Sequence, residues 1–66
     1  MEIVLNGQPM VLAASLSLAQ LIEQLGFTGK RIAVERNGEI VPKRQHSACM
    51  LVAQDRLEIV VAVGGG

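Results

Sequence analysis

The residues best suited to chemistry are Gly64, Gly65 and Gly66, which directly follow a strongly β-forming segment at the end of the chain. Glycine has no Cβ, so a glycine tail can thread a channel that excludes side chains. Three extended residues reach roughly 10 Å. We therefore expect this tail to carry the α-carboxylate of Gly66 away from the folded body and into the active site of another protein. Fraying of a chain end is the alternative interpretation of the same glycines.

His46 and Cys49 are the second candidate, because a thiol three residues after an imidazole could act as a nucleophile with its base. We prefer the plainer interpretation, in which Cys49 is a small, half-buried hydrophobic residue and His46 lies on a surface loop. One cysteine cannot form an intramolecular disulfide, and one thiol with one imidazole cannot supply the four ligands of a structural zinc site. The sequence thus predicts no catalytic residue, no metal site and no bound cofactor.

Composition excludes several classes of protein. The chain has 66 residues, a formal net charge of zero and a single aromatic residue, Phe27, which argues against nucleic-acid binding. The longest apolar run before the tail, residues 59–63, is too short to span a membrane, and Met1-Glu2 lacks the basic start of a signal peptide. We expect a small cytoplasmic domain with one modest core and no membrane contact.

The first half of the chain predicts a hairpin followed by a helix. Strands over residues 2–6 and 8–12 flank Asn6-Gly7, which is a strong two-residue turn signal. Apolar residues then recur at the spacing of one helical face: Leu18, Leu21, Ile22 and Leu25. Ser17 and Gln20 fit a capping box at the start of this helix, and Gly26 fits a left-handed cap at its end.

The second half predicts a second hairpin and a long final strand. Strands over residues 32–36 and 39–41 flank Asn37-Gly38, a polar turn covers residues 43–48, and residues 49–53 could form a minor strand. Residues 54–56 turn the chain into a strand over residues 57–63. This order predicts an α+β domain over residues 1–63, with a mixed sheet of four to five strands around one main helix, and a flexible glycine tail over residues 64–66.

The faces of the final strand follow from Glu58, because an unpaired charged side chain does not belong in so small a core. Period-two alternation then directs Leu57, Ile59, Val61 and Val63 inward. The same alternation leaves Val60 and Ala62 on the solvent face beside Glu58. These two apolar residues are either ordinary surface residues or part of a docking patch for a partner protein.

The whole chain resembles the small ubiquitin-like sulfur carrier proteins, most closely those of thiamine biosynthesis. The resemblance rests on four segments in order: residues 2–7, residues 17–22, residues 37–42, and residues 55–59 leading to the terminal Gly65-Gly66. It implies a β-grasp fold, in which a mixed sheet wraps around one helix. That fold agrees with the element order predicted above.

The resemblance also implies a function in which the carrier is a protein co-substrate and not an enzyme. An adenylyltransferase similar to ubiquitin-activating enzymes would use ATP and magnesium to convert the Gly66 carboxylate into an acyl-adenylate. A persulfide sulfur donor would then generate a thiocarboxylate, which thiazole synthase would consume. Gly65 and Gly66 match the diglycine of the family and Gly64 is a less diagnostic third glycine. The docking face of the family corresponds to Val60 and Ala62, beside Glu58.

Two alternatives remain open at this point. The small subunit of molybdopterin synthase shares the fold, the diglycine and the thiocarboxylate chemistry, but it is usually longer and has a more aromatic approach to the diglycine than Val61-Ala62-Val63. A β-grasp binding module without chemistry at its tail is the alternative from a different class. Neutral charge and the lack of basic or aromatic clusters argue against an RNA-binding version of such a module.

Overall fold

The computed structural model describes residues 1–62. Its elements, in chain order, are β1 (Glu2–Leu5), β2 (Gln8–Val11), α1 (Leu18–Gln24), β3 (Ile32–Arg36), β4 (Glu39–Ile40), a short 3-10 helix (Lys43–Gln45) and β5 (Arg56–Val61). The strands form one five-stranded sheet in the order β2-β1-β5-β3-β4. β5 lies at the centre, parallel to β1 and antiparallel to β3. This arrangement is the mixed sheet with one α-helix that the sequence predicts.

Both predicted Asn-Gly turns form as expected. Asn6 and Gly7 have φ angles of 49° and 80°, and Asn37 and Gly38 have 52° and 87°. A type I′ turn needs positive φ at both central residues, which asparagine tolerates and glycine adopts freely. The two hairpins, β1–β2 and β3–β4, therefore follow from local chemistry.

The helix begins and ends at the predicted signals. The Gln20 N–H donates to Ser17 Oγ at 3.1 Å, and the Ser17 N–H donates to Gln20 Oε1 at 2.8 Å, which completes the capping box. At the other end Gly26 has φ of 80°. The Gly26 and Phe27 N–H groups donate to the Glu23 and Ile22 carbonyls, both at 3.0 Å, in a Schellman motif.

The core lies between α1 and one face of the sheet. Leu18, Leu21 and Ile22 of the helix belong to the same buried cluster as residues from β1, β3 and β5. Within residues 1–62 the buried hydrophobic residues are Ile3, Leu12, Leu18, Leu21, Ile22, Val34, Leu51, Leu57 and Ile59. The alternate strand residues, among them Ala33, Glu58 and Val60, are exposed, so residues 1–62 leave the opposite face of the sheet uncovered.

The prediction of a minor strand over residues 49–53 is wrong. This segment makes one bridge, between Met50 and Ser17, and two backbone hydrogen bonds join it to the residues around the start of the helix. The Leu51 N–H donates to the Leu16 carbonyl at 2.9 Å, and the Leu18 N–H donates to the Cys49 carbonyl at 2.7 Å. Because that partner segment turns into α1 at Leu18, the ladder cannot continue.

Other departures are small. β4 ends at Ile40, and β5 begins at Arg56 instead of Leu57. Met50, in the segment predicted as a minor strand, is exposed at 50%. No helix within residues 1–62 is long and apolar enough to cross a membrane.

Candidate functional site: the tail exit and the outer sheet face

The described part of the chain ends beside β3, at Ala62, which we call the tail exit. Val61 pairs with Ile32 in the ladder, and the Ala62 N–H donates to the Arg31 carbonyl at 2.8 Å. On this side β3 pairs with β5 up to the exit, whereas the pairing of β5 with β1 ends earlier, at Leu57. The residues predicted to thread a partner's active site, Gly64, Gly65 and Gly66, lie outside the described residues, as does Val63.

The Asn6 side chain holds β5 where β1 turns away from it. The β1–β5 register ends at Leu5 and Leu57. Beyond that pair, the Ile59 N–H donates to Asn6 Oδ1 at 2.8 Å, and Asn6 Nδ2 donates to the Ile59 carbonyl at 3.2 Å. The side-chain amide of Asn6 thus makes the two hydrogen bonds to β5 that a further residue of β1 would otherwise make. Sequence reasoning identified Asn6 only as a turn residue, because the Asn-Gly signal fully explains an asparagine at this position.

The loop that enters β5 is organised by Asp55, which is 3% exposed. Its Oδ2 accepts hydrogen bonds from Arg36 Nε at 3.0 Å and from the Val52 N–H at 2.9 Å. Its Oδ1 accepts from Asn37 Nδ2 at 3.1 Å, and Asn37 Oδ1 accepts from the Arg56 N–H at 2.9 Å. The β3–β4 turn and the start of β5 are therefore joined through one carboxylate.

Burial opposes the ionisation of Asp55, but the hydrogen bonds outweigh it. The donors are the Val52 N–H, the Asn37 amide and the Arg36 guanidinium, and together they hold the pKa of Asp55 below its ordinary value of 3.8. Asp55 is consequently a charged structural group at neutral pH. Sequence reasoning missed this role, because an Asp in a turn is common and its partners are far away in the chain.

The outer face of the sheet carries the side chains predicted to point away from the core. Leu57 and Ile59 are buried at 1% and 5% exposure, whereas Val60 is 63% exposed. Glu58 and Ala62 are also exposed, so the predicted alternation of β5 is confirmed for them. We call Glu58, Val60 and Ala62 the outer patch.

Cross-strand neighbours extend the outer patch onto β3. Val60 lies opposite Ala33, which adds apolar surface, and Glu58 lies opposite Glu35. Like charges directly opposite each other in a sheet are unfavourable. The single ion pair among residues 1–62 joins Arg36 to Asp55, so neither glutamate forms an ion pair in this part of the chain, although Arg56 lines the same surface depression as both of them.

His46 and Cys49 do not form a nucleophile and base. His46 is buried at 8% exposure, not on a surface loop as expected, and its Nε2 lies 3.0 Å from the Val41 carbonyl oxygen. Cys49 is half-buried, as predicted, and lines a surface depression with Arg36. No hydrogen bond within residues 1–62 connects the imidazole to the thiol, and His46 instead helps to hold the segment after β4.

Comparisons with known proteins agree with this geometry. The model of the ThiS family matches residues 3–66. A crystal structure of a thiamine biosynthesis protein (ThiS) from Geobacter metallireducens superimposes with a TM-score of 0.85 at 28% identity and covers 100% of both chains. This match confirms the β-grasp fold class.

Similar sequences fall into two groups by length. The uncharacterized protein ycf40 of Porphyra purpurea is 38% identical over 65 residues, which are 98% of this chain and 92% of that protein. A thiazole synthase of Paramagnetospirillum magneticum is 41% identical over 66 residues, covering 100% of this chain. The chain spans only 20% of the length of that synthase. A domain of this kind therefore occurs both as a small separate protein and as part of a larger one.

Proposed function

Because this chain belongs to the ThiS family, we propose that it is the sulfur carrier of thiamine biosynthesis and carries sulfur on the carboxyl group of Gly66. The observation that supports this most directly is the family match over residues 3–66, which includes Gly65 and Gly66. In this role the chain is a protein co-substrate, and the catalytic groups belong to its partners.

The chemistry explains why the carrier needs an activating enzyme. A carboxylate is a poor electrophile, so an adenylyltransferase first joins the Gly66 carboxylate to the α-phosphate of ATP, with magnesium present, and releases pyrophosphate. The terminal sulfur of a persulfide then attacks the acyl carbon and AMP leaves. A second thiol takes the other persulfide sulfur into a disulfide, which leaves a thiocarboxylate on Gly66. We expect these ATP-dependent steps to occur in the cytoplasm.

The fold suits this role because a strand held by hydrogen bonds precedes a short segment rich in glycine. β5 is held by β1 as far as Leu57, by the Asn6 amide at Ile59, and on the β3 side as far as Ala62. Four further residues follow Ala62, and three of them are glycine. A fixed exit limits the positions that Gly66 can occupy. Glycine residues, which lack a Cβ, can pass through a narrow channel.

Thiazole synthase is the proposed acceptor of the sulfur. The support is a thiazole synthase that contains a segment 41% identical to all of this chain. When two functions occur together in one relative, the separate chains are natural candidates for partners. The same relatives favour the thiamine pathway over the molybdopterin synthase alternative.

The outer patch is the proposed docking surface for the adenylyltransferase. Val60 and Ala62 are exposed apolar residues directly before the tail, and Ala33 extends them across the ladder. Glu58 and Glu35 beside them form no ion pair within residues 1–62 and would favour basic side chains on the partner. An enzyme that accepts Gly66 must approach this end of β5.

The decisive test is the intact mass of the chain after incubation with the adenylyltransferase, ATP, magnesium and a persulfide donor. We expect a gain equal to the replacement of one oxygen by one sulfur, mapped to the peptide that ends in Gly66. The matched control is the same chain with one alanine added after Gly66, which should fold normally and gain no sulfur. Unmodified wild-type chain in a mixture proven active on another carrier would instead favour a binding module without chemistry.

A further inference from the structure

A basic groove lies on the helix side of the sheet, next to the tail exit. It has a volume of about 360 Å³ and runs between the end of α1, the loop that follows it and the short 3-10 helix. Three apolar residues that are buried or half-buried form its floor: Ile22, Phe27 and Ile32. Three exposed cationic residues lie along its edge: Lys30, Arg31 and Lys43.

The charge of this groove contrasts with that of the whole chain. The protein has six basic and six acidic residues, yet three of the basic residues line the groove with a single acidic residue, Glu23. The one ion pair in the described part of the chain lies elsewhere, between Arg36 and Asp55. The groove therefore presents a surplus of positive charge above an apolar floor, whereas Glu35 and Glu58 lie on the opposite face.

The groove adjoins the tail exit from the β3 side. Ile32 pairs with Val61, and the Arg31 carbonyl accepts the hydrogen bond from the Ala62 N–H. The four residues after Ala62 reach at most about 14 Å when extended. A protein that holds Gly66 in its active site must therefore bring its own surface within this distance of Arg31.

We propose that the basic groove docks an acidic segment of the adenylyltransferase, the enzyme that first takes in the tail, with an apolar side chain of that segment on the groove floor. The inference rests on the proposed function, which places Gly66 inside the partner. Carboxylates on the segment would pair with Lys30 and Lys43, and the apolar side chain would pack on Phe27. Complementary charges at this point would also orient the carrier during encounter, before the tail enters the channel.

Charge reversal inside and just outside the groove tests this inference. Lys30→Glu and Lys43→Glu each place a carboxylate at the groove edge. Arg44→Glu is the matched control, because Arg44 is exposed, adjacent to Lys43 and outside the groove lining, and its reversal changes the net charge equally. The dissociation constant for the adenylyltransferase, measured by calorimetry with ATP and magnesium at low and high salt, is the readout.

We expect each groove variant to bind about fivefold more weakly than wild type at low salt, and the control to change by about twofold or less. The affinity of the groove variants should also depend less on salt concentration than the affinity of wild type does. Equal losses in all three variants would show an effect of net charge alone and would overturn the inference, as would unchanged binding by Lys30→Glu and Lys43→Glu.

The outcomes separate this inference from the proposed function. If wild type gains sulfur on Gly66 and the groove variants bind as the control does, the proposal that the groove is a docking site is wrong and the carrier function stands. If wild type gains no sulfur, the carrier function is overturned, and the inference about the groove, which rests on it, is overturned as well. Thermal unfolding of each variant tests whether the fold is intact. If Lys30→Glu does not fold, the comparison of Lys43→Glu with Arg44→Glu is sufficient to test the inference.

Discussion

The side-chain amide of Asn6 hydrogen-bonds both backbone groups of Ile59, at 2.8 Å to its N–H and 3.2 Å to its carbonyl. These two residues are 53 positions apart in the chain. Asn6 has a positive φ in the first hairpin turn, so one residue both reverses the chain and continues the partner strand of β5. The strand that leads to the tail is thereby linked to the first hairpin.

Asn6→Gly should destabilise the protein by about 1–3 kcal/mol, because it leaves the Ile59 backbone groups without their partners while it keeps the backbone conformation of the turn. Urea unfolding measures the loss. Asn6→Asp, which retains an acceptor for the Ile59 N–H and loses the donor, should fall between wild type and the glycine variant. A glycine variant as stable as wild type would show that water replaces the amide at no cost.

The Asp55 carboxylate should make stability depend on pH. Its pKa in the folded state is lowered, so its contribution is fully present above the ordinary value of 3.8 and is lost as the pH falls through the folded value. Asp55→Asn should therefore be less stable than wild type by about 1–3 kcal/mol at neutral pH, and the difference should shrink below pH 3.8. Free energies of unfolding across this range test it, and a difference that stays constant would contradict the assignment.

Leu21→Ala should destabilise the protein by about 2–5 kcal/mol, because Leu21 is completely buried and the substitution leaves a cavity. A core of this size leaves little stability in reserve. Gln24→Ala, on the exposed side of the same helix, is the control and should have a small effect. The thermal midpoint and urea unfolding measure both variants, and similar values for the two would contradict the packing of α1 described above.

Val60→Asp should leave the fold intact and weaken binding to the adenylyltransferase at least about tenfold, because docking would bury an unpaired carboxylate. Val11→Asp is the matched control, since Val11 is 76% exposed on the edge strand β2, two strands away from β5. Titration of the enzyme with each variant gives the affinities. Equal binding by wild type and Val60→Asp would remove the outer patch from the interface.

The local elements of this protein were determined by the sequence itself. Asn6-Gly7 and Asn37-Gly38 define their turns, because few residues accept positive φ. Ser17, Gln20 and Gly26 define the helix, because each satisfies backbone groups within a few residues along the chain. The alternation around Glu58 identified the exposed residues of β5, because a charged side chain excludes one face from the core. All of these signals depend on neighbours close in sequence.

Only the tertiary structure decided how distant residues meet. Asn6 with Ile59, and Asp55 with Arg36 and Asn37, are contacts between residues whose types are explained equally well by turns alone. The segment over residues 49–53 is apolar enough for a strand, but its partner turns into a helix at Leu18. The basic groove likewise combines Lys30 with Lys43 through the packing of two separate loops. Folding places these groups together, and the spacing of residues along the chain does not encode that proximity.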